Sequence, residues 1–412
     1  MSNNAYLYRK LIPEYWFEQT ENPQNFNSCD QYLDARIKDI PEGKSFIFIT
    51  DPHCRNTNAM HSPAIIGYIR EMTGIKKVVQ GGDVVHREPN KYMGAQEIIK
   101  YNNIMRSVAG KDYLAIFGNH DLNTANAPVD NVPHHRIPYT EIEKILFGHL
   151  EGRVCEDISE RIAYLDCPKE DREEILAFSR LHFYLDDKES NVRYIVVETG
   201  CQIEAERNGC VTKYFDVYNN QDLVMQYDWL YETLLSTPED YDVVITGHAL
   251  VGYGLDRTIP AGPLGLCRMV SGFQNCEKFI MENPFPNKPN LCKFYAAGEH
   301  TYDFSSRKVR TNVVIIAGDT HDDTQALADF DENGKWAYIA PYNNQPLSKT
   351  GVVVTTVQDD ACESGPHTRE GTHVMKRGTK TEQCFDVVTI CKDGNIKLTR
   401  IGAGKDRFVN VK

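Results

Sequence analysis

The sequence predicts an α/β protein, and three observations predict it. Five β-branched and aliphatic runs, Phe46–Ile49, Val78–Val79, Tyr113–Phe117, Val243–Ile245 and Val313–Ile316, each end in a short polar island. Runs this apolar suit strands buried on both faces of a parallel or mixed sheet. Helix-length stretches separate the first three runs, a β-α-β-α-β rhythm. The 412 residues, 41% hydrophobic and 25% charged, have the composition of a globular protein with ample core.

In chain order, residues 1–44 lack a strong period and are expected to wrap the outside of a main domain spanning 45–340. Ser45–Thr50 is the first strand. His61–Thr73 reads as a helix with Ile65, Ile66, Tyr68 and Ile69 on one stripe. Val78–Gln80 and Tyr113–Phe117 are strands, with helical Ala95–Ala109 between them. An insertion at about 122–192, carrying Pro128, Pro133 and Pro138 and a charged stretch, reads as loop plus helices beside the site, where long insertions select substrates. Arg193–Thr199 resumes the sheet, and Gln226–Leu235 is a helix feeding the strand before His248. A second insertion, 251–308, reads as loop around helical Met269–Met281. After Asn312–Ala317, strands follow at Trp336–Ala340 and Val352–Val357. Phe385–Ile390 and Ile396–Ile401 flank Lys-Asp-Gly-Asn, a hairpin signal. A boundary near Pro341–Pro346 would set off residues 341–412 as a small C-terminal β subdomain.

The net charge of −13 disfavours broad binding to nucleic acid or anionic membrane. No apolar run approaches the roughly 18 residues of a membrane helix, and the first residues lack signal-peptide features. A cytoplasmic protein is therefore expected. The twelve cysteines contain no Cys-x-x-Cys pair and read as reduced thiols, with only the spacings Cys201/Cys210 and Cys267/Cys276 hinting at disulfides.

The islands carry the chemistry. They read TDPH (Thr50–His53), GGDVVH (Gly81–His86), GNHD (Gly118–Asp121), TGHA (Thr246–Ala249) and AGDTH (Ala317–His321). Strand ends are where open α/β sheets place ligand sites. Asp51 and His53, two apart on an extended segment, would project to one face. Gly82 beside Asp83 lets a metal come close to a carboxylate at a tight turn. Asn119 offers an amide oxygen, His248 and His321 imidazole nitrogens, and Asp319 a further carboxylate. Such nitrogen and oxygen donors without cysteine suit Mn, Fe, Zn, Ni or Mg better than a structural zinc.

Taken in order, D-x-H, G-D, G-N-H-D, G-H and G-x-x-H resemble the calcineurin-like metallophosphoesterase superfamily over Asp51–His321, about two-thirds of the chain. The resemblance implies a two-sheet mixed β-sandwich flanked by helices in four layers. It also implies two divalent metal ions, the first held by Asp51, His53, Asp83 and His321, the second by Asp83, Asn119, His248 and Asp319. His120 would aid the leaving group, with Asp121 orienting it. The implied reaction is hydrolysis of a phosphate ester by hydroxide held between the ions; the long insertions and the acidic charge point to a small-molecule substrate, a phosphodiester slightly ahead of a monoester. The last island departs from the family's usual G-H-x-H by placing Asp319 where a histidine is common, which adds negative charge at the second ion. Arg55, His86, Arg87, His134 and His135 are the candidate substrate contacts. His61 reads as packing at a helix start, and Cys54 as pointing away from the metals. The competing readings are a non-catalytic scaffold on the same fold and a nuclease.

Overall fold

The computed structural model describes residues 3–16, 32–54, 61–124, 127–158, 169–199, 205–207, 210–212, 226–251, 261–282, 299–331, 336–358 and 378–411. Among them the chain runs α1 (Asn3–Leu11), α2 (Tyr32–Lys38), β1 (Gly43–Ile49), α3 (Ser62–Thr73), β2 (Val78–Gln80), α4 (Lys91–Ala109) and β3 (Tyr113–Ala115). Next come α5 (Val132–His135), α6 (Tyr139–Phe147), β4 (Val154–Cys155), α7 (Lys169–Ser179), β5 (Phe183–Asp187), β6 (Val192–Val196), β7 (Ala205–Arg207) and β8 (Cys210–Thr212). The second half holds α8 (Tyr227–Leu235), β9 (Asp242–Gly247), α9 (Ala261–Asn275), β10 (Lys278–Glu282), β11 (Glu299–Asp303), β12 (Val313–Ala317), β13 (Gln325–Phe330), β14 (Trp336–Pro341), β15 (Val352–Thr356), β16 (Cys384–Cys391), β17 (Ile396–Gly402) and β18 (Arg407–Val409).

Two mixed sheets form the body. The first has the order β18-β17-β16-β1-β2-β3, the second β14-β13-β15-β12-β9-β6-β5-β4. Within the first, β1, β2 and β3 are parallel, with Ile47 opposite Val78 and Val78 opposite Tyr113. Within the second, β6, β9, β12 and β15 are parallel. Alternation along these strands explains why their runs are apolar throughout. Tyr194, Val196, Val244, Val314 and Ile316 pack into a core shared with the first sheet. Their neighbours Ile195, Val197, Val243, Ile245 and Ile315 pack with α8 and α9 on the opposite face. Phe46 and Tyr194 meet edge to face between the sheets, ring centroids 5.8 Å apart. Ile65, Ile66 and Ile69 of α3 and Ile98 and Met105 of α4 cover the outer face of the first sheet. The expected two-sheet sandwich with helices outside is thus present.

Local chemistry sets the element ends. Pro63 occupies the first turn of α3, and Gly74, at φ 76°, closes it with its N–H on Arg70 O at 2.8 Å. Asn90 caps α4 through Met93 N at 3.0 Å.

Three expectations need correction. The first insertion is not only loop and helix, because β5 inside it pairs with β6. The charges of β5 resemble a loop, but Asp186 lies opposite Arg193 and binds its Nε at 2.7 Å. The helix of the second insertion is Ala261–Asn275 rather than Met269–Met281. Pro263 sits in its first turn, where proline is tolerated. The helix gives way at Cys276, whose φ is 55°, and Lys278–Glu282 pairs with β11. Finally, the described residues beyond 341 form no separate β subdomain. β15 lies inside the second sheet, and β16 pairs with β1 along its length, completing the first. An exposed β1 edge would leave a row of backbone groups unpaired.

At the N-terminus, α1 packs on α3, with Tyr8 against Gly67. Trp16 is fully buried and donates to Glu382 at 3.0 Å, and Tyr15 OH donates to the same carboxylate at 2.9 Å. Cys267 and Cys276 are both free thiols, whereas Cys201 lies outside the described residues. No helix among the described residues is long and apolar enough to cross a membrane.

Candidate metal centre

The carboxyl ends of the parallel strands of both sheets meet at one point. Asp51 and His53 follow β1, Asp83 and His86 follow β2, and Asn119 and His120 follow β3. From the second sheet, His248 follows β9, and Asp319 and His321 follow β12. All but His86 and His321, both intermediate, are buried.

Backbone conformation does the aiming. Five of the seven candidate ligands have left-handed φ: Asp51 at 50°, His53 at 36°, Asp83 at 55°, Asp319 at 67° and His321 at 49°. Non-glycine residues seldom adopt this region, and each costs on the order of 1–3 kcal/mol unless its surroundings enforce it. This corrects the extended geometry expected for Asp51 and His53, which converge through turns rather than strand alternation. Close approach has a second requirement at Gly118. A Cβ there would lie 2.1 Å from the Asp83 backbone nitrogen and 2.3 Å from its Oδ1.

Two ligand sets form, with Asp83 in both. Atoms of Asp51, His53, Asp83 and His321 all lie within 4.8 Å of one another, as do those of Asp83, His248 and Asp319. In the first, His321 Nε2 is 3.3 Å from Asp51 Oδ1 and 3.2 Å from His53 Nε2, and His53 Nε2 is 3.8 Å from Asp83 Oδ2. In the second, His248 Nε2 lies 3.3 Å from Asp83 Oδ1, 3.6 Å from Asp319 Oδ1 and 3.0 Å from Asn119 Oδ1. Asp319 therefore faces the cluster from the position where the related motif carries histidine.

Asp51 Oδ1 and Asp83 Oδ2 are buried without a hydrogen-bond donor. Such oxygens are costly unless something cationic completes them. Two or three carboxylates, imidazoles and an amide around these atoms fit divalent cations that accept mixed nitrogen and oxygen donors.

Charge distribution agrees. Burial disfavours the Asp83 carboxylate, but His248, then His120 and His53, outweigh it and hold Asp83 well below the usual carboxylate range. Burial likewise opposes charge on His248, yet Asp83 and Asp51 raise it well above the usual imidazole value. Burial, then the Asp83 charge, pushes Asp121 up to about 7.

Asp121 does not orient His120. Its carboxylate accepts from four backbone N–H groups: Asp83 at 3.1 Å, Val84 at 2.8 Å, Val85 at 3.3 Å and Gly118 at 2.9 Å. It shapes the loop that carries Asp83. The His120 ring is held instead by the His86 carbonyl against its Nδ1, and by the His86 ring stacked on it at 5.1 Å. His120 Nε2 faces Asp83 Oδ2 at 3.9 Å.

Of the candidate substrate contacts, His86 joins the cluster beside His53 and His120. His135 is buried, its Nδ1 3.3 Å from the Glu88 carbonyl, so it braces the loop after β2. His134 is exposed beside it and Arg87 half-buried. Arg55 lies outside the described residues. His61 binds Glu382 at 2.7 Å, in keeping with a packing role. Cys54 is half-buried against the core.

Sequence reasoning missed three supports: Thr50, whose Oγ1 donates to Asp51 Oδ2 at 2.6 Å, Gln80, which holds the Gly82 carbonyl at 2.6 Å, and Asn123, which holds the carbonyls of Glu88 and His135 at 3.2 Å. Only their adjacency to the islands signalled them.

No protein-family model and no curated protein matches the chain. Among solved structures it is similar to a dimetal phosphatase from Danio rerio, at 10% identity and TM-score 0.42 over 90% of this chain and all of that one. It is similar to GAP50, the anchor in the inner membrane complex of Plasmodium, at 9% identity and TM-score 0.40 over 89% of each chain. It is also similar to phosphopantetheinyl hydrolase from Mycobacterium tuberculosis, at 11% identity and TM-score 0.30 over 79% of this chain and all of that one. These likenesses are distant, and the functional reading rests on the site's own residues.

Proposed function

We propose that the protein is a dinuclear-metal-dependent phosphoesterase that hydrolyses a small-molecule phosphate ester, a diester ahead of a monoester. One observation carries this reading: two ligand sets share Asp83 and enclose two buried carboxylate oxygens that lack donors. Asp51, His53, Asp83 and His321 would hold one ion, and Asp83, Asn119, His248 and Asp319 the other. Divalent ions there would supply Lewis-acid charge for phosphoryl oxygens and an acidified water.

The remaining residues divide the work. The Gly81 carbonyl accepts from His248 Nδ1 at 2.7 Å, which leaves Nε2 as the atom aimed at the ligand set. The His86 carbonyl does the same for His120, so its Nε2 is the atom placed to steady or protonate a departing oxygen. Asp121 keeps the Gly82–Val85 loop fixed under Asp83. The acidic chain, at −13, favours a compact substrate over a long polyanion.

The test is turnover of aryl phosphate mono- and diesters by protein loaded with Mn, Ni, Zn or Mg, beside Asp83→Ala and His120→Ala. The expected result is metal-dependent hydrolysis, at least about 10²-fold slower in His120→Ala and lost in Asp83→Ala, with circular dichroism unchanged. Absence of hydrolysis with every ion would favour a binding scaffold, and salt-sensitive cleavage of single-stranded nucleic acid a nuclease.

A further inference from the structure

The two proposed ion sites draw on both sheets. The first sheet brings Asp51, His53, Asp83 and Asn119, and the second brings His248, Asp319 and His321. Their geometry therefore depends on how the sheets are registered against each other at this end of the sandwich.

A buried ionic cluster joins the sheets there. Arg400 of β17, 1% exposed, grips Asp323 through Nη1 and Nη2, both at 2.7 Å. It grips Asp386 of β16 through Nε and Nη2, both at 2.9 Å. Arg407 of β18 closes the set, with Nη2 2.7 Å from Asp386 and 3.5 Å from Asp323. Its Nη1 donates to the Thr356 carbonyl at the end of β15. The Gln358 N–H donates to Asp323 at 3.1 Å. Arg400, Arg407 and Asp386 lie on strands of the first sheet, whereas Thr356 ends β15 of the second, and Asp323 and Gln358 lie in the segments that follow its strands β12 and β15.

Asp323 lies two residues beyond His321, in the turn between β12 and β13 that also carries Asp319. Two planar forks on one arginine, each bidentate, fix direction as well as distance. Burying four charges is not an efficient way to stabilise a fold, since apolar residues of similar volume often do as well or better. In some proteins buried ionic or polar groups instead fix register.

We infer that Arg400 and Asp323, completed by Arg407 and Asp386, are positioning residues: they lock the Asp319–His321 turn of the second sheet to the first, and so set the spacing between the two halves of the metal centre. The inference rests on the metal-binding reading above.

Calorimetric titration of metal-free protein with Mn or Zn, held well below the melting temperature of every variant, tests it. Asp323→Asn keeps the shape and removes one charge. Arg407→Lys, at a less buried position, is the second variant should the first fail to fold. Lys44→Ala is the control, because Lys44 ties the sheets at the opposite end, 2.9 Å from Asp242 and from the Asn191 carbonyl. The expected result is metal affinity weakened about 10–100-fold in Asp323→Asn or Arg407→Lys, as for outer-shell partners of metal ligands, and unchanged in Lys44→Ala. Wild-type affinity in the cluster variants, or equal weakening in the control, overturns the positioning role. A wild-type protein that binds neither ion would instead overturn the metal reading itself.

Discussion

Loading the centre with metal should release protons. In the metal-free protein, His248 Nδ1 hydrogen-bonds to the Gly81 carbonyl at 2.7 Å, while Nε2 faces oxygens of Asn119, Asp83, Asp319 and Asp51 at 3.0–3.9 Å. Four acceptors around one nitrogen favour a proton on it, and the raised His248 value agrees. The sign follows. A histidine with a raised folded value contributes stability that is present below its unfolded value and lost as pH rises through the folded one. Asp83, held low, contributes stability that is lost only as pH falls through its own depressed value. At neutral pH the pair is charged, and an ion binding His248 must expel its proton. Metal affinity should then rise about tenfold per pH unit, about 1.4 kcal/mol, for each proton released. Titration calorimetry in two buffers of different ionisation enthalpy counts that proton directly. A pH-independent affinity would mean that burial, not the carboxylates, decides the charge of His248, and that the electrostatic account is wrong.

Two further outcomes are expected. Gly118→Ala, whose Cβ would lie 2.1 Å from Asp83 N, should cost about 1–3 kcal/mol of stability as an overpacked site and weaken metal binding more than tenfold; calorimetry and thermal melting check both. Glu382→Gln leaves the donors Tyr15, Trp16, His61 and Gly378 facing a neutral amide. It should lower stability by about 1–3 kcal/mol with no change in metal affinity, which scanning calorimetry and the same titration check together.

The five islands and their strands were legible because buried parallel strands need unbroken apolar runs, and because ligand side chains must stand where those runs stop. Asp51, His53, Asp83, Asn119, His248, Asp319 and His321 do converge. How they converge was not legible: left-handed φ at Asp51, His53, Asp83, Asp319 and His321 is imposed by surrounding packing and leaves no trace in residue type beyond a mild preference for Asp, Asn and His. Asp121 misled because its sequence neighbour is His120, whereas its carboxylate reaches back to a loop 36–38 residues earlier. β5 was hidden by Asp186 and Asp187, since cross-strand pairing with Arg193 depends on a register that one strand alone does not show. Arg400 and Asp323 gave no signal, being 77 residues apart and in different sheets.

The position of β16 has a bearing on assembly. It sits beside β1 in the middle of the first sheet, yet Phe46 meets Val388 across more than 300 residues of chain. During synthesis every candidate ligand emerges before the strand that completes the sheet under half of them. Long-range pairings of this kind close late and slowly. Shortening the chain from its C-terminal side to residue 383 would therefore not trim an appendage. It would strip β16, β17 and β18, and with them Asp386, Arg400 and Arg407, leaving the first three strands with an open edge.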